Sequence, residues 1–236
     1  MFYPFYFHPS IILVFIALAI SGWASTYMQS TYQKYSQVKS QLNYTASEIC
    51  RYILNEAGLQ HVPIEPVPGH LTDHYDSQND VLRLSDATRN STSVAAIGVA
   101  AHEAGHALQD QEDYFFLRLR TSLVPITNIG QTAAMPILMI GLFIPSSSGQ
   151  FLINLGLALF SLTFIFQLVT LPVEFDASNR AIRILESSQV LTAEEVPHAR
   201  KVLRAAALTY VAGAIGSFLN ILRLFLLFGG NNRNRR

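Results

Sequence analysis

The sequence predicts a mainly α-helical, polytopic membrane protein, with about four transmembrane helices and a small polar region on the membrane surface. Three observations predict it. Half of the 236 residues are hydrophobic and 14% are charged, with a formal net charge of zero, which is less charge than a water-soluble domain of this size carries. The apolar residues fall in long runs at 11–27, 123–144, 151–171 and 205–228, each close to the length that crosses a bilayer. Between the first and second runs, residues 31–122 are polar enough to lie in water. There is no basic block with interleaved aromatics, so the composition argues against nucleic acid as a partner. The single cysteine, Cys50, rules out an internal disulfide and suits a reducing compartment. A buried helix position is the expected role for Cys50, not that of a nucleophile.

The first run, IILVFIALAISGWASTY, begins just after Pro9. A cleaved signal peptide is the competing reading, but residues 1–10 contain no Lys or Arg to form a basic leader. Residues 1–30 are therefore read as an uncleaved span, followed by the positive flank of Lys34 and Lys39. Thr45-Ala46-Ser47-Glu48 is a capping box, with Ile49, Tyr52, Ile53 and Ala57 following at helical spacing until Gly58. Pro63, Pro66, Pro68 and Gly69 predict an irregular connection. After it, residues 70–75 and 81–85 alternate like two short strands around the turn at 76–80. Such a hairpin can offer its edge to an extended peptide or simply cover a helix. His74, between Asp73 and Asp76, is either a surface histidine in an acidic turn or an electrostatic helper.

The stretch Ala101-His102-Glu103-Ala104-Gly105-His106-Ala107 carries the strongest chemical signal. Asn90-Ser91-Thr92-Ser93 offers N-caps for a helix running from about 93 to 111. Two histidines four apart on a helix lie on one face, one turn above the other, so both imidazoles can reach a single metal ion. In a zinc hydrolase with this pattern, the glutamate after the first histidine stands beside the metal and takes a proton from the attacking water. The preceding residues 94–101 are apolar and mostly small, so this helix can be buried with other backbone close to it. Buried histidines and a glutamate then need partners, and a metal ion is the most economical one.

The helix should emerge into water at 109–113, and Tyr114-Phe115-Phe116-Leu117-Arg118-Leu119-Arg120 looks interfacial. A transmembrane hairpin over 123–172 follows: a second span, kinked by Pro125 and Pro136 with Asn128 and Gln131 turned toward other helices, a short turn at 145–150, and a third span. Immediately afterwards comes Leu171-Pro172-Val173-Glu174-Phe175-Asp176-Ala177-Ser178. Two histidines leave a catalytic zinc one protein ligand short. Two spans return the chain to the side of His102 and His106, which makes Glu174 the third-ligand candidate on a helix within 173–204. Asp176 is either a further ligand or a group that orients a ligating imidazole. Thr192-Ala193-Glu194-Glu195 is a second capping box, with Pro197 expected to delay the helix. Residues 205–236 are read as a fourth span and basic tail, with Arg223 snorkelling toward the nearer interface; an interfacial helix is the alternative. Tyr210 is either an aromatic-belt residue or an oxyanion donor.

Four spans place both termini on one side and the metal region on the other. Within reach of the membrane, the metal side carries Lys34, Lys39, Arg118, Arg120, Arg180, Arg183, Arg200, Lys201 and Arg204, whereas the other side carries only Arg233, Arg235 and Arg236. By the positive-inside rule the metal region faces the cytoplasm.

Four segments together resemble the YugP-like neutral zinc metallopeptidases of bacterial membranes: Asp73-His74-Tyr75-Asp76, residues 99–107, residues 171–178 and residues 205–212. The resemblance covers nearly the whole chain. It implies a zincin-like catalytic region, with His102, His106 and Glu174 as zinc ligands, Glu103 as the base, and residence in the bacterial cell membrane. More distantly, the chain is similar to the HtpX and CAAX prenyl protease group. That group usually has an aspartate four residues after the ligand glutamate; here Ser178 stands at that place and Asp176 two after it.

Together these features predict a zinc-dependent endopeptidase acting on peptides or membrane proteins near the bilayer. Two other readings stay open. One is an intramembrane protease whose metal helix itself crosses the bilayer, against which Gln109 to Asp113 argue. The other is a metal-binding scaffold or transporter component that hydrolyses nothing and has no need of Glu103.

Overall fold

A computed structural model describes residues 8–228. The elements are helix α1 (Ile11–Ser36), α2 (Ala46–Glu56), strands β1 (Ile64–Val67), β2 (His74–Asp76) and β3 (Val81–Ser85), then α3 (Asp86–Arg89), α4 (Val94–Gln111), α5 (Phe115–Phe143), α6 (Ser147–Ser187) and α7 (Val196–Phe228). The fold is mainly α, and α1, α5, α6 and α7 are long and apolar enough to cross a membrane. The basic tail with Arg233, Arg235 and Arg236 lies outside the described residues.

The chain divides into two compact units. One comprises the chain up to Ala24, Leu119–Thr170 and the chain from Tyr210. Its apolar side chains point outward as well as inward: Phe15 is 60%, Ile129 69% and Phe143 80% exposed. In water that surface would drive aggregation, whereas a bilayer solvates it. Small residues let the helices touch. A Cβ on Gly156 would lie 2.9 Å from the Leu138 Cβ, and one on Gly141 2.8 Å from the Gly149 carbonyl oxygen, a close approach that replaces the hydrophobic driving force lost in lipid. The packed face of α5 runs through Thr127, Gly130, Ala134 and Leu138, a helical three-and-four spacing. This corrects the expectation for Asn128 and Gln131: each sits one position off that face and is exposed.

The other unit comprises Ser25–Arg118 and Leu171–Thr209. Its core is built on α4, whose Ala95, Ala96, Ile97, Ala100, Ala101 and Ala104 are fully buried, together with Ile49, Cys50, Ile53 and Leu54 of α2. The amphipathic spacing of α2 is fixed at its start by Thr45, whose side chain accepts from the Glu48 amide while the Glu48 carboxylate accepts from the Thr45 amide. Cys50 lies in this core, and burial pushes its thiol above its ordinary range, the opposite of what a nucleophile needs. Ser93 caps α4 by accepting from the Ala96 amide at 3.2 Å. Glu195 is buried at the start of α7, accepting from the Thr192 amide at 2.9 Å and from the Gln41 amide at 2.8 Å. The helix starts at Val196 with Pro197 inside its first turn, where a proline costs no hydrogen bond.

The sheet has the order β1-β3-β2, with β1 parallel and β2 antiparallel to β3. The expected hairpin is present in the register His74↔Arg83, but its first strand begins only at His74. Left-handed backbone at Gly69 and Leu71 breaks the extension before it. Strand β1 stands where the prolines predicted irregular structure; Pro66 is accommodated because β1 is an outer strand. The third span and the helix bearing Glu174, expected as two segments divided near Pro172, are the single helix α6. An internal proline removes one backbone hydrogen bond and bends a helix without necessarily ending it.

Candidate metal centre

Helix α4 carries His102 and His106 one turn apart, with their rings 4.7 Å apart and nearly perpendicular. Glu174 arrives from α6. Its Oε2 lies 3.2 Å from His102 Nε2 and 3.7 Å from His106 Nε2. One ligand atom from each of these three residues falls within 4.8 Å of the others, and no further His, Cys, Asp or Glu joins the group among the described residues. Three such atoms crowded together, the carboxylate 3% exposed, need either protons on the imidazoles or a cation between them. Two imidazole nitrogens and one carboxylate oxygen are a zinc donor set that leaves a coordination position open.

The meeting of α4 and α6 depends on Gly105. A Cβ there would lie 2.7 Å from the Ala177 carbonyl oxygen, against backbone that has no flexible end to move aside. Gly98, on the same helix, is different: its Cβ would meet Ala199 at an ordinary 3.5 Å. Gly105→Ala should therefore lower stability by about 1–3 kcal/mol through overpacking and weaken metal binding by displacing Glu174. Gly98→Ala should be neutral or stabilising by up to about 1 kcal/mol from helix propensity. Thermal melts and zinc titrations of the two variants side by side test this contrast.

Glu103 is buried beside the group, and its Oε2 accepts from the Tyr75 amide of β2 at 3.0 Å. Burial pushes its carboxyl up to about 7, and the nearby charges of Glu174 and Asp73 push the same way, against His102 and the Tyr75 amide. Strand β2 is itself pinned to α4: the Tyr75 hydroxyl lies 2.9 Å from Asp110 Oδ2 and 2.7 Å from Asp80 Oδ1.

The far nitrogens of both imidazoles are engaged. His102 Nδ1 lies 3.1 Å from Ser178 Oγ, and His106 Nδ1 lies 3.0 Å from Gln109 Oε1. Sequence reasoning missed Gln109. The available signal was its place three residues after His106 on one helical face. Asp176 contacts neither imidazole; it accepts from Gln109 Nε2 at 2.8 Å and from Arg180 Nε at 2.6 Å. His74 is exposed, with Nδ1 2.9 Å from the Thr72 carbonyl oxygen, and stands apart from the metal group. Tyr210 falls in the other unit.

An apolar polytopic chain with a histidine and carboxylate metal site belongs to the class of membrane metalloproteins, and comparison with known proteins narrows that class. Residues 10–229 match the family described as "Putative neutral zinc metallopeptidase", and the chain belongs to that family. It is 45% identical over 225 residues to a Bacillus subtilis (strain 168) protein described as "Putative membrane protease YugP", covering 95% of this chain and 99% of that one. No solved structure gives a significant match.

Proposed function

We propose that the chain is a zinc-dependent endopeptidase embedded in the bacterial cell membrane, cutting peptide bonds of membrane or membrane-proximal proteins, with His102, His106 and Glu174 as ligands and Glu103 as the general base. The observation that carries this reading is the convergence of three ligand atoms within 4.8 Å, with a buried carboxylate beside them. Zinc bound there supplies Lewis acidity, polarising a scissile carbonyl and acidifying water. Glu103 takes a proton from the attacking water and returns it to the leaving amine. Burial favours proton uptake by Glu103, because in the metal-free site it raises the carboxyl above the ordinary carboxylate range. The Tyr75 amide fixes the orientation of Glu103 at 3.0 Å. Because β2 is an outer strand of the sheet, an extended peptide can add beside it and lie across the site.

Residence of the site on the cytoplasmic face is supported by the nine membrane-proximal Lys and Arg residues on its side in the sequence. The intramembrane alternative is disfavoured because α4 is not one of the four helices long and apolar enough to span a bilayer. A metal-binding scaffold is the competing function, although it gives no role to a buried carboxylate beside the ligands. Zinc-loaded full-length protein in lipid nanodiscs should cleave members of a broad peptide library and lose that activity on chelation. Stoichiometric zinc with no cleavage of any peptide or membrane-protein substrate would favour the scaffold.

A further inference from the structure

Gln109 is fully buried, and all of its polar atoms point at named partners. Oε1 faces His106 Nδ1 at 3.0 Å, while Nε2 donates to the Val173 carbonyl at 2.9 Å and to Asp176 Oδ2 at 2.8 Å. Two of these partners can only accept. Flipping the amide would set Oε1 against a carbonyl and a carboxylate, so its orientation is settled by α6 rather than by His106. With Oε1 presented, His106 Nδ1 has to donate, which leaves the Nε2 lone pair facing Glu174 and the metal position. Asp176 is held in turn by Arg180, whose guanidinium also pairs with Glu112 at 2.8 Å. The chain of contacts thus leaves α4 at Gln109, passes through Asp176 and Arg180 on α6, and returns to Glu112, the residue that caps the end of α4.

We infer that Gln109 is a positioning residue that holds His106 in its metal-binding tautomer, and that Asp176 acts on the metal only through Gln109. This rests on the reading of His102, His106 and Glu174 as the metal site. Val173 and Asp176 flank Glu174 in sequence, so the same turn of α6 supplies a ligand and sets the geometry of another ligand on α4.

The experiment measures zinc affinity of the full-length protein in detergent by chelator competition, together with the visible spectrum of the cobalt-substituted form. Gln109→Met keeps the volume and removes the polar contacts, and should weaken zinc binding about 10- to 100-fold. Asp176→Ala should weaken it by about tenfold and shift the cobalt bands, although Asp176 touches neither imidazole. The double variant should bind within about twofold of Gln109→Met alone, because both changes interrupt one chain. Affinity of Gln109→Met within about twofold of wild type, or losses that multiply in the double variant, would overturn the inference. Should Gln109→Met fail to fold, Asp176→Ala decides alone, since its side chain is 25% exposed: unchanged affinity and an unchanged cobalt spectrum would end the inference. Wild-type protein that binds no stoichiometric zinc sinks the metal-site reading instead, which keeps the two failures distinct.

Discussion

Replacing Glu103 with glutamine should abolish peptide hydrolysis while leaving zinc bound in the same stoichiometry as in wild type. The amide has nearly the shape of the carboxylate, and its oxygen can still accept from the Tyr75 amide, which reaches Glu103 at 3.0 Å. What it cannot do is take a proton, so the expected loss in kcat is about 10²- to 10⁴-fold, the range that a positioned acid–base group supplies. The same substitution carries a stability signature. With zinc chelated away, the Glu103 carboxyl is raised in the folded state to about 7, from an ordinary 4.5. The folded chain therefore binds more protons than the unfolded chain between those values, and wild-type stability falls as pH rises through them. Glutamine has no such titration. The melting temperature of zinc-free Glu103→Gln should accordingly exceed that of zinc-free wild type at pH 8 by more than at pH 4. Residual hydrolysis within about tenfold of wild type would remove Glu103 from the role of base.

Replacing Glu174 with alanine should remove the metal itself. Two imidazoles from one helix give only part of a tetrahedral site, and no other His, Cys, Asp or Glu joins the group among the described residues. The variant should lose stoichiometric zinc and, with it, the thermal stabilisation by added zinc that wild type shows. At a free zinc concentration 100 times the dissociation constant, that stabilisation amounts to about 2.7 kcal/mol. The zinc-free variant should still fold, because the apolar core of this unit, built on α4 and α2, does not include Glu174. Retained stoichiometric zinc would show that some other group completes the site.

The parts of the fold that the sequence makes legible are those governed by local periodicity and capping. The helix bearing His102 and His106 could be bounded because Ser93 is a capping residue and the apolar run after it has helical length. The four long helices were legible because lipid demands length and apolarity, both of which are visible one residue at a time. Glu174 could be named because two spans must return the chain to the side it left. Strand β1 was hidden because prolines signal irregular structure locally, while the pairing with β3 that rescues Pro66 is a property of the assembled sheet. The uninterrupted course of α6 past Pro172 was hidden for a similar reason. Gln109 was missed because glutamine carries no distinctive metal signature, and Ser178 stood out only through the resemblance, as the residue in the place of an aspartate. Only the crossing of α4 and α6 at Gly105 and Ala177 brings them into place.

Ser178 at the outer nitrogen of His102 also sets the charge balance of the site. Both ligand imidazoles lean on neutral oxygens, a hydroxyl and an amide, so the carboxylates nearest the metal position are Glu103 and Glu174. With both ionised in the proposed zinc-bound site, two negative charges against one dication would leave a neutral cluster, the form that a buried, low-dielectric pocket solvates at least cost. An aspartate at 178 would tip that sum to a net negative charge. The serine would keep the proposed zinc-bound site in electrical balance with the core around it.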